Sequence, residues 1–360
     1  MKIGIITFNR AVNYGAVLQS YALKKNMCNF GHNCEVINYK CDEIEKEASP
    51  FYIKSFKLKD FIIFVLQIRM RIKKNKKFKV FTNKYLDTAN SLVTSENITK
   101  IKDKYDLVIT GSDQVWNYEI TGLDSNYFLD FVGDNTLTVS YAASFGVESI
   151  PTNLKANYVK LLRNIDCISV REEAGKEIVK DFTGKDVPVV SDPVFLISKD
   201  EWIQLAVKPL INEKYILVYS INKTACYQMA EKISKDTGFK IVGLQTPLSN
   251  KTNCKKVRDE SPEEFLGWFN NAEYVITDSF HGTAFSIIFN KQFILCDGGE
   301  GTNRLSRHKT LLKTMGLGNR KGSLENYRII YESIDFQMVN NNINIAKNNS
   351  KRFLESVCNK

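Results

Sequence analysis

The chain has 360 residues, of which 43% are hydrophobic and 25% charged, with a formal net charge of +10. This length exceeds a comfortable single core, so two domains are expected, and the composition is that of an ordinary soluble globular protein. No apolar run approaches the ~20 residues of a membrane span, and the eight cysteines show no spacing typical of a metal site. The opening residues read as a strand and are too short for a signal peptide. We therefore expect a cytoplasmic protein with reduced thiols and no bound metal or cofactor.

The first half of the chain alternates between predicted strands and helices. Strands are predicted at residues 3–8, 34–39, 105–110, 137–142, 167–170 and 187–190, and helices at 16–26 and 155–162. Polar or small residues follow each strand, and these include Asn13, Tyr14, Gly15, Ser112, Asp113, Ser144 and Arg171, with Gln19 one turn into the first helix. The carboxyl ends of parallel strands form the edge at which α/β proteins bind ligands. These residues are therefore candidates for a binding site, although Gly15 is equally explained by the geometry of a turn.

A basic helical segment interrupts this pattern. Residues 54–79 contain ten basic side chains and one acid, Asp60, beside the apolar run 61–66. Such a segment is commonly a solvated helix face, but it also suits contact with an anionic membrane surface. Nucleic acid is a weaker alternative, because only this one patch is basic and no nucleic-acid motif is present. We expect an insertion at 54–81 that contacts an anionic membrane.

The second half restarts the alternation after a bridge at residues 197–212. Strands are predicted at 215–220, 240–245, 274–277 and 292–296, helices at 225–237 and 262–270, and a loop at 298–307. A closing helix is predicted from an apolar stripe that starts at residue 336 and ends at 357. The expected organisation is an N-terminal Rossmann-like domain at 1–197, a C-terminal Rossmann-like domain at 213–320 and a helical tail at 321–360, with the site in the cleft.

The stretch from Val275 to Phe289 is the most informative part of the sequence. A buried strand ends at Thr277, and a helix is predicted to begin near Gly282 and Thr283, so that Ser279 and His281 lie on the turn between them. A helix N-terminus at a sheet edge favours bound anions, and a histidine there can donate a proton to the ligand. The alternative is a buried histidine whose ring bonds a neighbouring carbonyl.

Several of these sheet edges together resemble the polysaccharide pyruvyl transferase family. The matching stretches are residues 13–19, 111–117, 140–146, 169–172, Asp192-Pro193, the His281 stretch and residues 304–307. The resemblance implies a GT-B-like fold, α/β with two Rossmann-like domains facing a cleft. It also implies transfer of a pyruvyl group from phosphoenolpyruvate onto two hydroxyls of a sugar, as a ketal, with phosphoenolpyruvate as co-substrate and no cofactor.

The resemblance also assigns roles to individual residues. His281 matches the family's proposed acid and Arg171 an arginine that binds the donor, although an ion pair with Glu172 or Glu173 is the alternative for Arg171. Asp113 is expected to orient or deprotonate the attacking hydroxyl, or else to cap the following turn. Ser279 stands where better-studied members have arginine, and Arg304 and Arg307 are expected to supply the missing charge. The predicted substrate-binding residues are Asn13, Tyr14, Gly15, Gln19, Ser112, Ser144, Ser279, Gly282, Thr283, Arg304 and Arg307.

Two other functions compete with pyruvyl transfer. Loss of an arginine at Ser279 favours a less anionic donor, such as the nucleotide sugar of a GT-B-type glycosyltransferase. A non-catalytic carbohydrate-binding protein of surface-polymer synthesis is the third possibility. For pyruvyl transfer, the expected partners are phosphoenolpyruvate and a glycan or lipid-linked sugar acceptor. The enzyme is then expected to bind its acceptor at the inner face of the cell membrane, in exopolysaccharide biosynthesis.

Overall fold

The computed structural model describes residues 1–52, 58–88, 91–220, 224–246, 250–296 and 306–359. Among the predicted features, Arg304 and the beginning of the basic segment, including Lys54 and Lys57, lie outside these residues. The architecture is two parallel β-sheets flanked by helices, as the alternating pattern of the sequence predicted.

The first sheet is built from strands in the first half of the chain. Its strands are β1 (Lys2–Ile6), β2 (Asn33–Val36), β3 (Leu107–Asp113), β4 (Leu137–Ala143) and β5 (Cys167–Val170). They lie in the order β2-β1-β3-β4-β5, and all neighbours are parallel. Leu107 and Ile109 point to one face and Val108 to the other, and both faces are covered. A sheet buried on both faces explains why its strands are continuous apolar runs.

The second sheet follows the same principle. Its strands are β6 (Tyr215–Tyr219), β7 (Lys240–Leu244), β8 (Lys255–Val257), β9 (Tyr274–Thr277), β10 (Gln292–Cys296) and β11 (Lys321–Gly322). Their order is β11-β10-β9-β6-β7-β8, again parallel throughout. β9 is therefore central, and the chain that leaves its carboxyl end emerges in the middle of the ligand edge.

The helices connect these strands and cover the sheets. They are α1 (Tyr14–Asn29), α2 (Asp42–Ala48), α3 (Leu58–Tyr85), α4 (Tyr118–Thr121), α5 (Thr152–Leu162), α6 (Glu173–Thr183), α7 (Lys199–Leu205), α8 (Thr224–Thr237), α9 (Pro262–Asn271), α10 (Phe280–Ile288), α11 (Ser306–Met315) and α12 (Phe336–Cys358). The predicted start of α9 is confirmed: Ser261 and Glu264 form a reciprocal capping box, and Pro262 occupies the first turn.

Two differences from the predicted strands bear on the site. β3 does not stop at Thr110 but runs to Asp113, because Gly111 lets the chain approach β4 closely. A Cβ at Gly111 would lie 2.5 Å from the carbonyl oxygen of Tyr141, so a side chain there would force the strands apart. The strand predicted at residues 187–190 is reduced to a single bridge between Val170 and Val189. Its neighbour Pro188 accepts a hydrogen bond from Val170 but has no N–H to return one.

The two sheets are joined by packing between α1 and α9. Tyr14, the first residue of α1, stacks on Phe265 of α9 with ring centroids 4.4 Å apart. Its hydroxyl donates to the Glu260 carbonyl oxygen at 3.1 Å. The closing helix α12 was predicted correctly, and it touches both halves: Val339 packs in the core that includes the second sheet, whereas Leu354 and Val357 pack under the first.

The basic segment forms α3, a helix that lies against the second half of the chain. Lys73 and Lys77 form ion pairs with Asp259 and Glu264, at 2.5 and 2.6 Å. Phe78 is buried with Tyr14 and Phe265 in one core. The helix is therefore not only a solvated face, since part of its basic surface contacts the protein.

Candidate active site

The candidate site lies where the carboxyl ends of the two sheets meet. β3, β4 and β5 of the first sheet bring Asp113, Ser144 and Arg171 to this edge, and β9 of the second brings His281 through the start of α10. The structure thus brings together the three residues that the sequence predicted to be catalytic: His281, Asp113 and Arg171.

Arg171 is buried and surrounded by carboxylates. Its Nη1 donates to Asp192 Oδ2 at 2.7 Å, its Nη2 lies 3.4 Å from Asp113 Oδ1, and its Nε lies 3.8 Å from Glu172 Oε2. The guanidinium also lies over the Phe280 ring, 4.5 Å from its centroid. Burial acts to lower the pKa of Arg171, but attraction by the three carboxylates outweighs it, and the pKa is raised.

The donor-binding role of Arg171 stays a prediction, and its surroundings favour a different task. Its charge is already compensated by three acids, and a substrate anion would have to compete with Asp192 for the same guanidinium. The alternative ion pair with Glu172 is present, but the shortest contact is to Asp192. Arg171 is therefore a residue that holds acidic side chains in position.

Asp192 is the centre of the arrangement, and sequence reasoning did not assign it a role. Besides Arg171, its Oδ2 lies 3.3 Å from Ser112 Oγ and 3.4 Å from His281 Nε2. Burial by itself raises the pKa of Asp192, but the attraction of His281 and Arg171 is larger and leaves it well below the usual range. Asp192 is thus a carboxylate at neutral pH. Its position after a short apolar run, with Pro193 next, was the available signal.

His281 is seated against the first turn of α1. The Nδ1 atom of the His281 ring faces Gly15, and a Cβ added at Gly15 would lie only 1.9 Å from it. Gly15 is therefore required because the imidazole occupies the space of a side chain, rather than because of the turn. His281 is 8% exposed, and in the described part of the structure its Nε2 has no well-aligned hydrogen bond. Arg171, Asp113, Glu172, Asp192 and His281 together form what we call the ion cluster.

Asp113 and two serines, Ser112 and Ser144, complete the first-sheet side of the cluster. Asp113 Oδ1 accepts a hydrogen bond from the Gln114 N–H at 2.9 Å, so it caps its own turn while facing Arg171. Ser112 donates to Asp192, as given above. Ser144 Oγ donates to Glu172 Oε1 at 2.7 Å. Ser112 and Ser144, which were predicted to bind substrate, are buried and hold carboxylates of the cluster instead.

Asn13, Tyr14 and Gln19 at the start of α1 were all predicted to bind substrate. Of these three, Asn13 is the one that places a polar group at the cleft. Asn13 caps the helix by accepting from the Ala16 N–H, and it also lines the large cavity between the sheets. The binding roles predicted for Tyr14 and Gln19 are not supported. Tyr14 packs between α1 and α9. The Gln19 amide donates hydrogen bonds to Thr7 Oγ1 and to the Ala16 carbonyl oxygen, inside the first half of the chain.

The start of α10 is internally bonded. Ser279 is its N-cap and accepts from the Gly282 N–H, and the Thr283 hydroxyl donates to the Ser279 carbonyl oxygen at 3.0 Å. A Cβ at Gly282 would lie 2.2 Å from Thr277 Oγ1. The helix begins at Phe280 rather than near Gly282, so His281 belongs to its first turn. Ser279 therefore has a structural task that an arginine in its place would not perform.

Arg307 lies on α11, with its guanidinium 5.9 Å from the centroid of the Phe280 ring. With Arg171, Asp192 and Phe280 it lines a small cavity of about 110 Å³. Arg307 was predicted to lie in a loop, but it occupies the first turn of a helix. Arg304, its predicted companion, is outside the described residues.

A larger cavity of about 730 Å³ adjoins the ion cluster. Asp113 is shared by the cavity and the cluster, and Asn13 and Gln114 lie beside it. The opposite walls come from α2, α3 and the second half of the chain, including Glu43, Lys46, Arg71, Lys74, Gln245 and Arg258. The cavity is large enough for a sugar and is lined by both acidic and basic groups.

Within residues 1–52, 58–88, 91–220, 224–246, 250–296 and 306–359, no three His, Cys, Asp or Glu side chains are placed to hold a metal ion. In the same ranges no helix has the length and apolar character needed to cross a membrane.

Comparison with known proteins gives one family match and several similar folds. The family model for polysaccharide pyruvyl transferase matches residues 13–299, which is most of the chain. No curated protein matches the sequence.

Among solved structures, the UDP-N-acetylglucosamine 2-epimerase from Rickettsia bellii is similar with a TM-score of 0.51 at 10% identity, covering 99% of this chain and 96% of that one. The spinosyn rhamnosyltransferase SpnG is similar with a TM-score of 0.50 at 10% identity, covering 100% of both chains. At this identity the likeness concerns the fold alone, and that fold is GT-B, as predicted.

Proposed function

Because the chain belongs to the polysaccharide pyruvyl transferase family, we propose that it transfers a pyruvyl group from phosphoenolpyruvate onto two hydroxyls of a sugar, forming a ketal. The observation that supports this most directly is the ion cluster: a histidine from one sheet meets an ionised aspartate from the other, 3.4 Å apart. Such a pair can hold a proton beside a substrate in the cleft and deliver it.

The proposed chemistry begins at the terminal carbon of phosphoenolpyruvate. His281 donates a proton to this carbon, which becomes a methyl group and leaves an oxocarbenium-like centre at C2. A sugar hydroxyl attacks C2, the bond to the phosphate oxygen breaks, and a second hydroxyl completes the ketal. Of the two hydroxyl protons, one replaces the proton given by His281 and the other leaves with inorganic phosphate. The anionic Asp192 compensates the charge of the imidazolium between these steps.

Asp113 is the proposed acceptor of the hydroxyl proton. It is the member of the ion cluster that also lines the large cavity, so it can reach both an acceptor sugar and the cluster. Arg171 is a positioning residue here, since it fixes the carboxylates of Asp113 and Asp192 relative to each other. Holding catalytic groups in one geometry in advance lowers the entropic part of the barrier.

The test is release of inorganic phosphate from phosphoenolpyruvate in the presence of candidate glycan acceptors, with ketal formation followed by NMR. We expect phosphate release that depends on the acceptor. In the His281→Gln variant the rate should fall by about 10²–10⁴-fold, the usual contribution of general acid–base assistance, while the variant remains folded. Near-normal turnover of this variant would remove His281 from the mechanism.

The same assay distinguishes the nucleotide-sugar alternative. If the protein releases UDP from a UDP-sugar with these acceptors and leaves phosphoenolpyruvate intact, the donor proposed here is wrong. The substitution at Ser279 is what favours that alternative. Binding of glycan without consumption of either donor would identify a non-catalytic carbohydrate-binding protein.

We also propose that the enzyme works in the cytoplasm on glycan or lipid-linked acceptors and contacts an anionic membrane through the outer face of α3. Four apolar side chains on this face are about half exposed or more: Phe61 52%, Ile62 49%, Val65 53% and Leu66 67%. The exposed bases Arg69, Lys76 and Lys79 continue the same face. Apolar residues next to basic ones suit the interface of an anionic bilayer.

A further inference from the structure

The inner face of α3 lines the large cavity beside the ion cluster. Arg71 and Lys74 project from this face, and Arg258 approaches from the second half of the chain. All three are partly buried, whereas Arg69, Lys76 and Lys79 on the opposite side of the helix are exposed. We call Arg71, Lys74 and Arg258 the cationic wall.

Lys74 is held in the wall mainly by aromatic rings. Its ammonium lies 4.8 Å from the ring centroid of Tyr14 and 5.5 Å from that of Phe78. Burial lowers the pKa of Lys74 to about 8, although Glu260 attracts it at longer range. Within the described residues no carboxylate lies within ion-pair distance of Lys74, so contact with the rings only partly offsets its lost hydration.

The two arginines have neutral partners or none within the described part of the chain. Arg71 donates to the Tyr52 carbonyl oxygen at 2.7 Å and to Gln67 Oε1 at 3.3 Å, contacts that orient the guanidinium without neutralising it. The Nε and Nη2 atoms of Arg258 are buried and have no hydrogen-bond acceptor among the described residues. Buried donors without acceptors are costly, and a bound anion would satisfy them.

The acidic side chains that line the same cavity either face Arg171 or lie on helices other than α3. Asp113 faces Arg171, and Glu43 and Glu119 come from α2 and α4 of the first half. No ion pair between these acids and the cationic wall occurs in the described ranges. The ion cluster has one guanidinium for three carboxylates. Of the described bases that line the large cavity, Lys46 is exposed, and the three partly buried ones form the cationic wall.

We propose that Arg71, Lys74 and Arg258 form a phosphate-binding subsite, which takes the phosphate monoester group of one substrate of the transfer reaction. Two guanidinium forks and one ammonium match the geometry and charge of a phosphate dianion. The inference deepens the proposed function, because it assigns a phosphate-bearing substrate to the same cleft. The phosphate belongs either to phosphoenolpyruvate or to a sugar phosphate acceptor, and both present the same chemistry to the wall.

The test measures binding by calorimetry, without turnover. The probes are phosphoenolpyruvate, N-acetylglucosamine 1-phosphate as a sugar phosphate, and N-acetylglucosamine as its uncharged counterpart. We expect Lys74→Met and Arg258→Gln to weaken binding of one phosphate probe by about 10-fold or more, the usual loss for one charge-assisted hydrogen bond. The matched control is Lys76→Gln on the exposed side of α3, which should bind as the wild type does.

Which probe loses affinity identifies the source of the phosphate. A loss for phosphoenolpyruvate alone assigns the subsite to the donor, and a loss for the sugar phosphate alone assigns it to the acceptor. Unchanged binding of both probes by the two variants, or binding of neither probe by the wild type, overturns the proposal. Loss of folding is separated from loss of binding by the unfolding temperature, which should rise in Lys74→Met because a poorly hydrated charge is removed.

The outcome is independent of whether the pyruvyl transfer proposal holds. If phosphate binding depends on Lys74 but phosphoenolpyruvate is never consumed with any acceptor, the subsite stands and the proposed reaction fails. If pyruvyl transfer occurs with equal affinity for both phosphate probes in Lys74→Met and the wild type, the reaction stands and the subsite fails.

Discussion

The contact between Gly15 and His281 is the most restrictive feature at the scale of single residues. Gly15 starts the first helix of one sheet's domain, while His281 starts a helix of the other, and the imidazole occupies the space that a side chain at Gly15 would need. Even a methyl group there would collide with the ring. The imidazole of His281 is thus positioned by the absence of a side chain at Gly15.

We expect Gly15→Ala to lower kcat by at least about 100-fold, because His281 must turn away from Asp192. Misplacement of a catalytic group by about 1 Å commonly has an effect of this size. A double-mutant cycle with His281→Ala tests the cause: once the imidazole is absent, adding Gly15→Ala should change the residual rate by less than about 2-fold. Equal losses in both backgrounds would show that Gly15 acts through something other than His281.

Asp192 is the second residue with a distinct expected effect. Asp192→Asn keeps the shape but removes the carboxylate nearest to Arg171, and breaking a buried ion pair typically costs about 3–5 kcal/mol. The free energy of unfolding should fall by that order in denaturant titrations at pH 7. Asp181→Asn is the matched control, because Asp181 and Lys155 form an exposed pair and such pairs contribute at most about 1 kcal/mol.

The pH dependence of this effect follows from the lowered pKa of Asp192. A carboxyl group whose folded pKa is depressed contributes stability above its unfolded pKa, about 3.9. That contribution is lost as pH falls through the folded pKa. The stability difference between the wild type and Asp192→Asn should therefore be larger at pH 7 than at pH 3, because it shrinks below about pH 4. A difference that is the same at pH 3 and pH 7 would contradict an ionised Asp192.

At this scale the sequence predicted which residues come together but not the contacts that each side chain makes. His281, Asp113 and Arg171 were predicted from strand ends and the family resemblance, and they do converge. What each side chain contacts depends on pairs far apart in sequence, such as Arg171 with Asp192. No periodicity reports such contacts, and for this reason Tyr14 and Gln19 were predicted to bind substrate although both are used in packing.

At the scale of elements, α3 departs most from what its composition indicates. The ten-to-one excess of bases over residues 54–79 suggested one basic surface, but α3, which carries most of them, presents these residues on different sides. Lys73 and Lys77 pair with acids of the second half, Arg71 and Lys74 face the cavity, and Arg69 and Lys76 remain exposed. Helical periodicity places residues on faces, but which face meets the protein depends on α9, which is distant in sequence.

Lys74 makes the inward face of α3 sensitive to pH. Its folded pKa of about 8 lies below the ordinary value of 10.5, so the unfolded chain binds more protons between these values and stability rises with pH there. We expect Lys74→Met to be more stable than the wild type at pH 7 by roughly 1–2 kcal/mol, allowing for partial exposure. The difference should disappear as pH approaches 10.5, as chemical denaturation across that range would show. A constant difference would contradict the lowered pKa.

The outward face of α3 is the part to which the membrane prediction applies. Leu66→Ser with Ile62→Ser, and separately Arg69→Gln with Lys76→Gln and Lys79→Gln, should each reduce sedimentation with vesicles of anionic lipid. Each exposed base contributes about 1 kcal/mol near such a surface, and salt screens it. Activity on a soluble acceptor should persist. The prediction is wrong if the wild type does not sediment with anionic vesicles at low salt.

At the scale of the whole molecule, the sequence predicted the fold more fully than the site. Two parallel sheets, the order of their elements and the closing helix follow from apolar runs, Gly and Pro positions and helix caps, which act locally. The relation between the two sheets could not be predicted in this way. It rests on contacts such as Tyr14 with Phe265, a pair separated by most of the chain.

The division of the ion cluster between the two sheets has a consequence for the timing of the reaction. Asp192, Arg171 and Gly15 belong to one half, and His281 belongs to the other. Any widening of the cleft withdraws the histidine from its aspartate, so an open molecule has its acid and its counter-ion on separate bodies. For the proposed reaction, this means that His281 and Asp192 can act together only while the two halves stay in contact.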